Sequence, residues 1–456
     1  MAQTNSKTID MTTGSIIRTV LLFAIPICLG NVLQQLYSTV DTLIIGRFCS
    51  SDSLAAIGTS SQPTELLINF FVGFGGGVSI LVSQFKGADD MKKLVSVVKT
   101  ATFFLFSVSL PVMILGQFVG PVILRFMNTP EDIWEMAVSY VSIMFWVTIA
   151  SLGYNMNAGI LRGMGDSRAS LVFLCISCVV NIVLDLVFIA GLQMDVFGAA
   201  LATAIAIVAS WIFSIVYIKV KFPELDFSFL PRGFDRDMLK KIVSIGLPLG
   251  LNHSIYSVGH IVLQALTNLQ GPAFIAGCSV AGKVNGLANM AITSLATSAT
   301  TFSGQNYGAG KLDRLRKGAW MIPLTNALIT ATAGMLMAFV FCEPIIGLFS
   351  TDPEVLFVAS RYVHIVLPFS WCYSVLSTII NYCNGAGVIT YPTIINILML
   401  WAVRIPVGCI ITFLFDGTYV MIAYPVSFVF GMTCMVLFLF TKTWKRVTIS
   451  SADKMI

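Results

Sequence analysis

Long apolar runs separated by short polar clusters make up almost the whole chain. Counted between those clusters, twelve segments of 20 or more residues stand out, at about 15–46, 54–84, 94–118, 131–160, 168–191, 197–219, 239–268, 275–306, 318–342, 354–385, 391–413 and 419–441. At 1.5 Å per residue each can cross the roughly 30 Å hydrocarbon core of a bilayer. The runs are continuous rather than alternating, which excludes barrel strands, and in lipid only helices and closed barrels satisfy every backbone polar group. The pattern therefore predicts an all-α polytopic membrane protein with twelve transmembrane helices.

The longest polar interruption, KVKFPELDFSFLPRGFDRDMLKK at 219–241, falls after the sixth segment. Either side of it the chain repeats itself. SILVSQFKGADDMKKL (79–94) returns as TTFSGQNYGAGKLDRL (300–315), with Gln84 matching Gln305 and Gly87-Ala88 matching Gly308-Ala309. FAIPICLGN likewise echoes IGLPLGLN, which aligns Pro26 with Pro248. Such self-similarity points to two structural copies. Because each copy holds an even number of spans, both enter the membrane from the same side, as parallel repeats about an axis along the membrane normal with a central cleft. The expected organisation is two pseudo-symmetric six-helix bundles, 1–218 and 242–456, joined by a cytoplasmic linker at 219–241.

Composition agrees. Of 456 residues, 56% are hydrophobic and 11% charged, with a mean hydropathy of +0.87, whereas a soluble domain carries about 25% charged residues. The net charge of +5 matters less than where the charges lie. Twenty-two basic residues, Lys7, Lys445, Arg446 and Lys454 among them, flank the termini and the even-numbered connections, against Arg47, Arg125 and Arg361 on the other side. That asymmetry predicts both termini in the cytoplasm of a multi-pass plasma-membrane protein. The N-terminus MAQTNSKTIDMTTGSIIRT lacks a short apolar core followed by a small-residue cleavage site, so no removed signal peptide is expected.

A few polar residues inside the segments carry the candidate chemistry. The acids Asp41, Glu65 and Asp185 and the bases Lys283 and Arg404 lie at intramembrane depth, where an unpaired charge costs at least about 2.5–3.5 kcal/mol on insertion scales. In GNVLQQLYSTVDTLIIG, Gln34, Tyr37 and Asp41 share one helical face. Asn181 precedes Asp185 by one turn in the fifth segment, and the sixth adds Thr203. Two carboxylates, an amide oxygen and a hydroxyl form an all-oxygen set suited to a sodium ion, and equally to a proton shared between acids. The plain alternative is that both acids merely hydrogen-bond neighbouring helices. Glu65 and Lys283, at similar distances from the outer ends of equivalent helices, read as a gate or as a permanent ion pair. Pro26 and Pro248, a third of the way into the first helix of each half, are candidate hinges. Gly73, Gly75, Gly76 and Gly77 include a G-x-x-x-G spacing that points to close helix packing.

Several motifs lead nowhere. GQNYGAGKLD resembles a phosphate loop, but its first glycine is misplaced and no Ser or Thr follows Lys311. Cys175 and Cys178 form a C-x-x-C with no second pair and no histidine nearby, and read as apolar packing residues. Only His253, His260 and His364 are present. The first two read as cleft-lining or packing residues, with a proton role as the alternative. Three dispersed histidines and no clustered nucleophile argue against an enzyme, and no cofactor or nucleic-acid partner is expected.

In order along the twelve segments, FAIPICLGNVLQQLYSTVDTLIIGRF, SLAAIGTSS, LRGMGDSR, NIVLD, GQNYGAGK and WAVRIP resemble the multidrug and toxic compound extrusion (MATE) family. The resemblance implies a cation-coupled antiporter that expels amphipathic, often cationic organic compounds through alternating outward-open and inward-open states. In one branch of the family an N-half site uses a first-helix Asp with an Asn, an Asp and a Thr from the fifth and sixth helices; Asp41, Asn181, Asp185 and Thr203 match those positions. Gln34 and Tyr37 continue the polar face towards it. Another branch also uses acids in the seventh and tenth helices, where this chain has His253 and His260 and only a peripheral Glu354, so that second site is not carried over.

The expected mechanism is that a proton or sodium ion from outside neutralises the Asp41–Asp185 site, the first helix rearranges about Pro26, and substrate is released outward. The expected partners are small organic substrates and the lipid bilayer, and the protein is expected as a monomer because its repeat already supplies two halves. The rival within transport is a flippase for a lipid-linked or polysaccharide precursor, which would use a more basic cleft.

Overall fold

Helices account for the fold, and no strand occurs among the described residues. The computed structural model describes residues 8–444, less the side chains of Ser51, Gln62 and Leu66. Lys7, Lys445, Arg446 and Lys454, counted above for orientation, lie outside the described residues.

The helices are α1 (Ile16–Phe48), α2 (Ser51–Gly87), α3 (Met91–Phe126), α4 (Glu131–Trp146), α5 (Thr148–Gly163), α6 (Ser167–Asp185), α7 (Asp195–Lys221), α8 (Arg236–Asn268), α9 (Pro272–Gly308), α10 (Leu312–Phe339), α11 (Cys342–Gly347), α12 (Pro353–Val366), α13 (Ser370–Gly385), α14 (Thr390–Leu398), α15 (Ile405–Leu414) and α16 (Ala423–Phe440). Nine spans among the described residues are long and apolar enough to cross a bilayer. The pair α4 and α5, bent by 48° at a short break, makes a tenth. The longer but more polar α8 and α9 complete the twelve expected spans. Helix α7 runs on to Lys221 and α8 begins at Arg236, so residues 222–235 of the polar linker remain as connection.

Local chemistry sets the helix starts. Asp90 accepts a hydrogen bond from the Lys93 N–H (3.0 Å), Asp166 from that of Ala169 (3.2 Å) and Asp352 from that of Glu354 (2.9 Å), each satisfying a donor that the first helical turn leaves free. The internal repeat survives in the backbone. Asp89 and Gly310 turn the chain at φ 55° and 65°, and Gly165 and Gly387 at 89° and 85°, all left-handed conformations at matching places in the two halves.

Contacts divide the chain into two compact units. One comprises Leu29–Ser254, the other Ile9–Cys28 together with the chain from Ile255 onward. The division thus falls inside α1, two residues beyond Pro26, and inside α8, six residues beyond Pro248. Phe71, Phe74, Leu81, Leu94, Leu152, Phe173, Trp211 and Ile242 centre the core of the first unit. Phe23, Leu295, Phe302, Leu315, Leu376 and Phe438 form one core of the second, and Phe274, Val284, Val363, Leu400 and Phe428 another. Large apolar side chains such as Phe118 and Phe126, 71% and 83% exposed, form the outer surface that a bilayer would cover.

The glycine spacing in α2 is a packing device. An ideal Cβ at Gly73 would lie 2.3 Å from the Gly250 nitrogen, and one at Gly77 2.9 Å from the Gly246 Cα. Within the first unit, α2 and the start of α8 therefore meet backbone to backbone through two interlocked small-x-x-x-small pairs.

Candidate ion-coupling site

Four helices of the first unit bring polar groups to one point. The second half of α1 supplies Tyr37 and Asp41, α4 Tyr140, the end of α6 Asn181 and Asp185, and α7 Thr203. Asn181 and Asp185 are fully buried, while Tyr37, Asp41 and Thr203 are half-buried.

The amide of Asn181 organises the group. With its two ends oriented so that both are paired, it donates to Asp185 Oδ2 at 2.7 Å and accepts from the Thr203 N–H at 3.2 Å; the opposite orientation would set oxygen against oxygen. The Tyr37 hydroxyl hydrogen-bonds Thr203. The carboxyl groups of Asp41 and Asp185 stand within hydrogen-bonding reach of each other, an approach that requires a proton or a cation between them. Asp41 Oδ1 and Asp185 Oδ1 are both buried and accept no hydrogen bond. Two oxygen lone-pair sites thus face inward without protein donors, beside an amide and a hydroxyl. With the Asn181 oxygen paired to the Thr203 N–H, the carboxylate oxygens are the ligands left open, and on their chemistry they fit sodium or a shared proton.

Local backbone form contributes as well. Immediately after Asp185 the helix widens into a π-turn, Leu186–Gly191, a form that concentrates at functional sites. On the same unit, Asp195 begins α7, accepts a hydrogen bond from Ser53 Oγ at 2.7 Å and pairs with the Cys49 thiol.

Of the expected set, Asp41, Asn181, Asp185, Thr203 and Tyr37 come together. Gln34, one turn before Tyr37, is exposed. Glu65 and Lys283 are both exposed and belong to different units; the Lys283 ammonium lies over the Phe349 ring at 5.2 Å. Helices α1 and α8 run unbroken through Pro26 and Pro248. His260 packs edge-on against Tyr256, centroids 4.9 Å apart. Cys175 and Cys178 are free and half-buried, and no cluster of three potential metal-ligating side chains occurs among the described residues.

Tyr140 was not anticipated. It lies within electrostatic reach of Asp41, Asp185 and Glu65. Its signal in AVSYVSIMFW is a single hydroxyl in an apolar run, too slight to separate it from the chain's other tyrosines.

Comparison with known proteins gives three findings. The family model described as MatE matches residues 26–187 and 248–410, more than half of the chain and one stretch in each half. The probable multidrug resistance protein YoeA of Bacillus subtilis (strain 168) is 28% identical over 452 residues, covering 96% of both chains, and the FAD transporter of Shewanella oneidensis is 23% identical, covering 92% of this chain and 94% of its own. Among solved structures, a MOP superfamily transporter from Pyrococcus furiosus superposes with a TM-score of 0.88 over 98% of this chain and 99% of its own, at 21% identity.

Proposed function

Because the chain belongs to the MATE family of multi-pass membrane transporters, we propose that it is a proton- or sodium-coupled antiporter exporting amphipathic, often cationic organic compounds by alternating access. The observation that carries this reading is the meeting of Asp41 and Asp185. Two carboxyl groups from different helices approach each other inside the first unit, and each keeps a buried oxygen without a protein donor. Burying an unsatisfied polar atom costs about 1–3 kcal/mol, and a proton or cation held between the two carboxyl groups offsets that cost at both residues at once.

In this reading a cation from outside binds between Asp41 and Asp185, with Asn181 holding Asp185, Thr203 holding Asn181 and Tyr37, and Tyr37 and Gln34 continuing the polar face along α1. Binding draws α1 towards α6. Release of the cation frees α1 to move about Pro26, close to where its packing passes from one unit to the other. Pro248 has the same role in α8. Glu65 and Lys283 are the proposed charged pair that closes the outer side. Residues 1–218 and 242–456 act as the two bundles, with 219–241 as a cytoplasmic linker. The protein works as a monomer in the plasma membrane with both termini in the cytoplasm.

Substrate and cation then compete through conformation. Each shifts the equilibrium only by its differential affinity for the two states. Among the described residues Arg404 is the one basic side chain buried in the second unit, too little positive charge for the multiply charged headgroup of a lipid-linked precursor, so the flippase reading is set aside. The test is efflux of a fluorescent organic cation from vesicles under an imposed proton gradient and then an imposed sodium gradient. Movement driven by one gradient identifies the coupling ion; movement under neither removes the antiport reading.

A further inference from the structure

The second unit holds a charge that the coupling cycle does not use. Arg404 is 1% exposed, and it ends a π-turn, Met399–Arg404, that joins α14 to α15. No carboxylate pairs with it among the described residues. Its Nε donates to Ser427 Oγ at 2.8 Å, Nη1 to the Tyr256 hydroxyl at 3.1 Å, and Nη2 approaches Met399 Sδ at 3.9 Å. A guanidinium carries five N–H donors, so two are left without a protein acceptor. Aromatic faces close round it. The Tyr424, Phe428 and Tyr256 ring centroids lie 4.7, 5.1 and 5.9 Å from Cζ, and Tyr373 shares a hydrogen bond with Tyr256.

Cation–π contacts and neutral hydroxyls compensate such a charge only in part. Leucine or methionine would fill the same volume without the burial penalty, and the two N–H donors left over are open to an acceptor from outside the chain. We infer that Arg404, with Tyr256, Tyr424, Phe428 and Ser427, is a binding site for the carboxylate of an aromatic organic anion or zwitterion, which makes carboxylated amphiphiles a substrate class of this transporter.

Charge and shape select the ligand. One guanidinium balances one negative charge, which suits a carboxylate better than a phosphate dianion. The planar fork presents parallel donors to a planar two-oxygen acceptor, and the flanking rings offer faces on which an aromatic body stacks. The Tyr256 hydroxyl stands where one carboxylate oxygen would bind and is displaced by it, because a charge-assisted hydrogen bond is about twice as strong as a neutral one. The inference rests on the transport reading for its meaning, but it is tested by binding alone.

The probes are 2-naphthoate and the neutral 2-naphthamide, titrated into the purified full-length protein in lipid nanodiscs in a low-salt buffer free of chloride and of carboxylates. The parent is expected to bind the carboxylate at least about tenfold more tightly, about 1.4 kcal/mol, and Arg404→Gln to lose that preference while keeping its affinity for the amide. Equal affinities in the parent overturn the inference without any variant, so a folding defect in Arg404→Gln does not shield it. A preference that survives Arg404→Gln overturns it too, as does one abolished by millimolar chloride, which would make the site a halide site. Dye efflux is scored separately. Efflux under a gradient with no carboxylate preference refutes this inference alone, and a carboxylate preference with no gradient-driven efflux refutes the antiport reading alone.

Discussion

Asn181 and Asp185 lie one turn apart on α6, and the Asn181 amide donates to Asp185 Oδ2 at 2.7 Å while accepting from the Thr203 backbone at 3.2 Å. The amide thereby fixes the direction of a buried carboxylate whose second oxygen is left open. Replacing Asn181 by Ala removes the donor and frees Asp185 to rotate. Ion-driven efflux per folded transporter is expected to fall by about tenfold or more, the loss of one hydrogen bond to a charged group at about 1.5–3 kcal/mol, and thermal stability to fall as well, because the buried Asp185 Oδ2 loses its donor. Efflux equal to that of the parent would show that Asp185 needs no such support.

The packing of α2 on α8 predicts a contrast between two glycines of one helix. A Cβ at Gly73 meets backbone of α8 at 2.3 Å, whereas one at Gly58 meets nothing within 4 Å. Gly73→Ala is expected to destabilise the protein by about 1–3 kcal/mol, the usual cost of overpacking. Gly58→Ala is expected to be neutral or mildly stabilising, since Ala is the better helix former by about 1 kcal/mol. Thermal unfolding in detergent separates the two.

At the start of the second half, Asp235 receives the Asp237 N–H at 2.8 Å, the Met238 N–H at 3.2 Å and the Ser96 hydroxyl at 3.2 Å. Those bonds, the Met238 and Asp237 amides first, hold its carboxyl below the usual carboxylate range. A lowered folded value means that its contribution is in place above the unfolded reference of about 3.9 and is lost as pH falls through the folded value. The stability gap between the parent and Asp235→Ala should therefore narrow on acidification below about pH 4. A gap that stays constant down to pH 3 would contradict the assignment.

The segment before α1 is held just as specifically. Met11 is fully buried, its N–H donates to Gln305 at 3.0 Å, and Arg314 donates to the carbonyls of Met11, Thr13 and Gly14 at 3.2, 2.8 and 2.6 Å. Arg314→Gln keeps at most part of this clasp. Amide exchange within residues 11–14 is expected to quicken by about tenfold or more, as for loss of charge-assisted bonds of about 1.5–3 kcal/mol. Unchanged exchange would mean that burial of Met11 alone holds the segment.

Much of this was legible in the sequence, for physical reasons that differ by residue. A carboxylate in a lipid-length run costs so much that Asp41 and Asp185 stand out unaided, and the four-residue spacing of Asn181 and Asp185 gave their shared face. The glycines of α2 announced close packing but not their partners, because Gly246 and Gly250 lie some 170 residues away and no local pattern encodes that pairing. Two further features left no trace. The π-turns after Asp185 and up to Arg404 arise from how whole helices pack, and Tyr140 joins the site only through the approach of α4. Arg404 was visible as an anomaly, while its ring of tyrosines, drawn from α8, α13 and α16, needed the fold.

The most direct test of the central claim compares the parent with Asp41→Asn in vesicles, measuring organic-cation efflux both under the coupling-ion gradient and downhill along the substrate's own gradient. Coupling through Asp41 predicts that gradient-driven efflux falls at least about tenfold, more than about 1.4 kcal/mol, while downhill movement persists. Gradient-driven efflux at the parental rate in Asp41→Asn would contradict it.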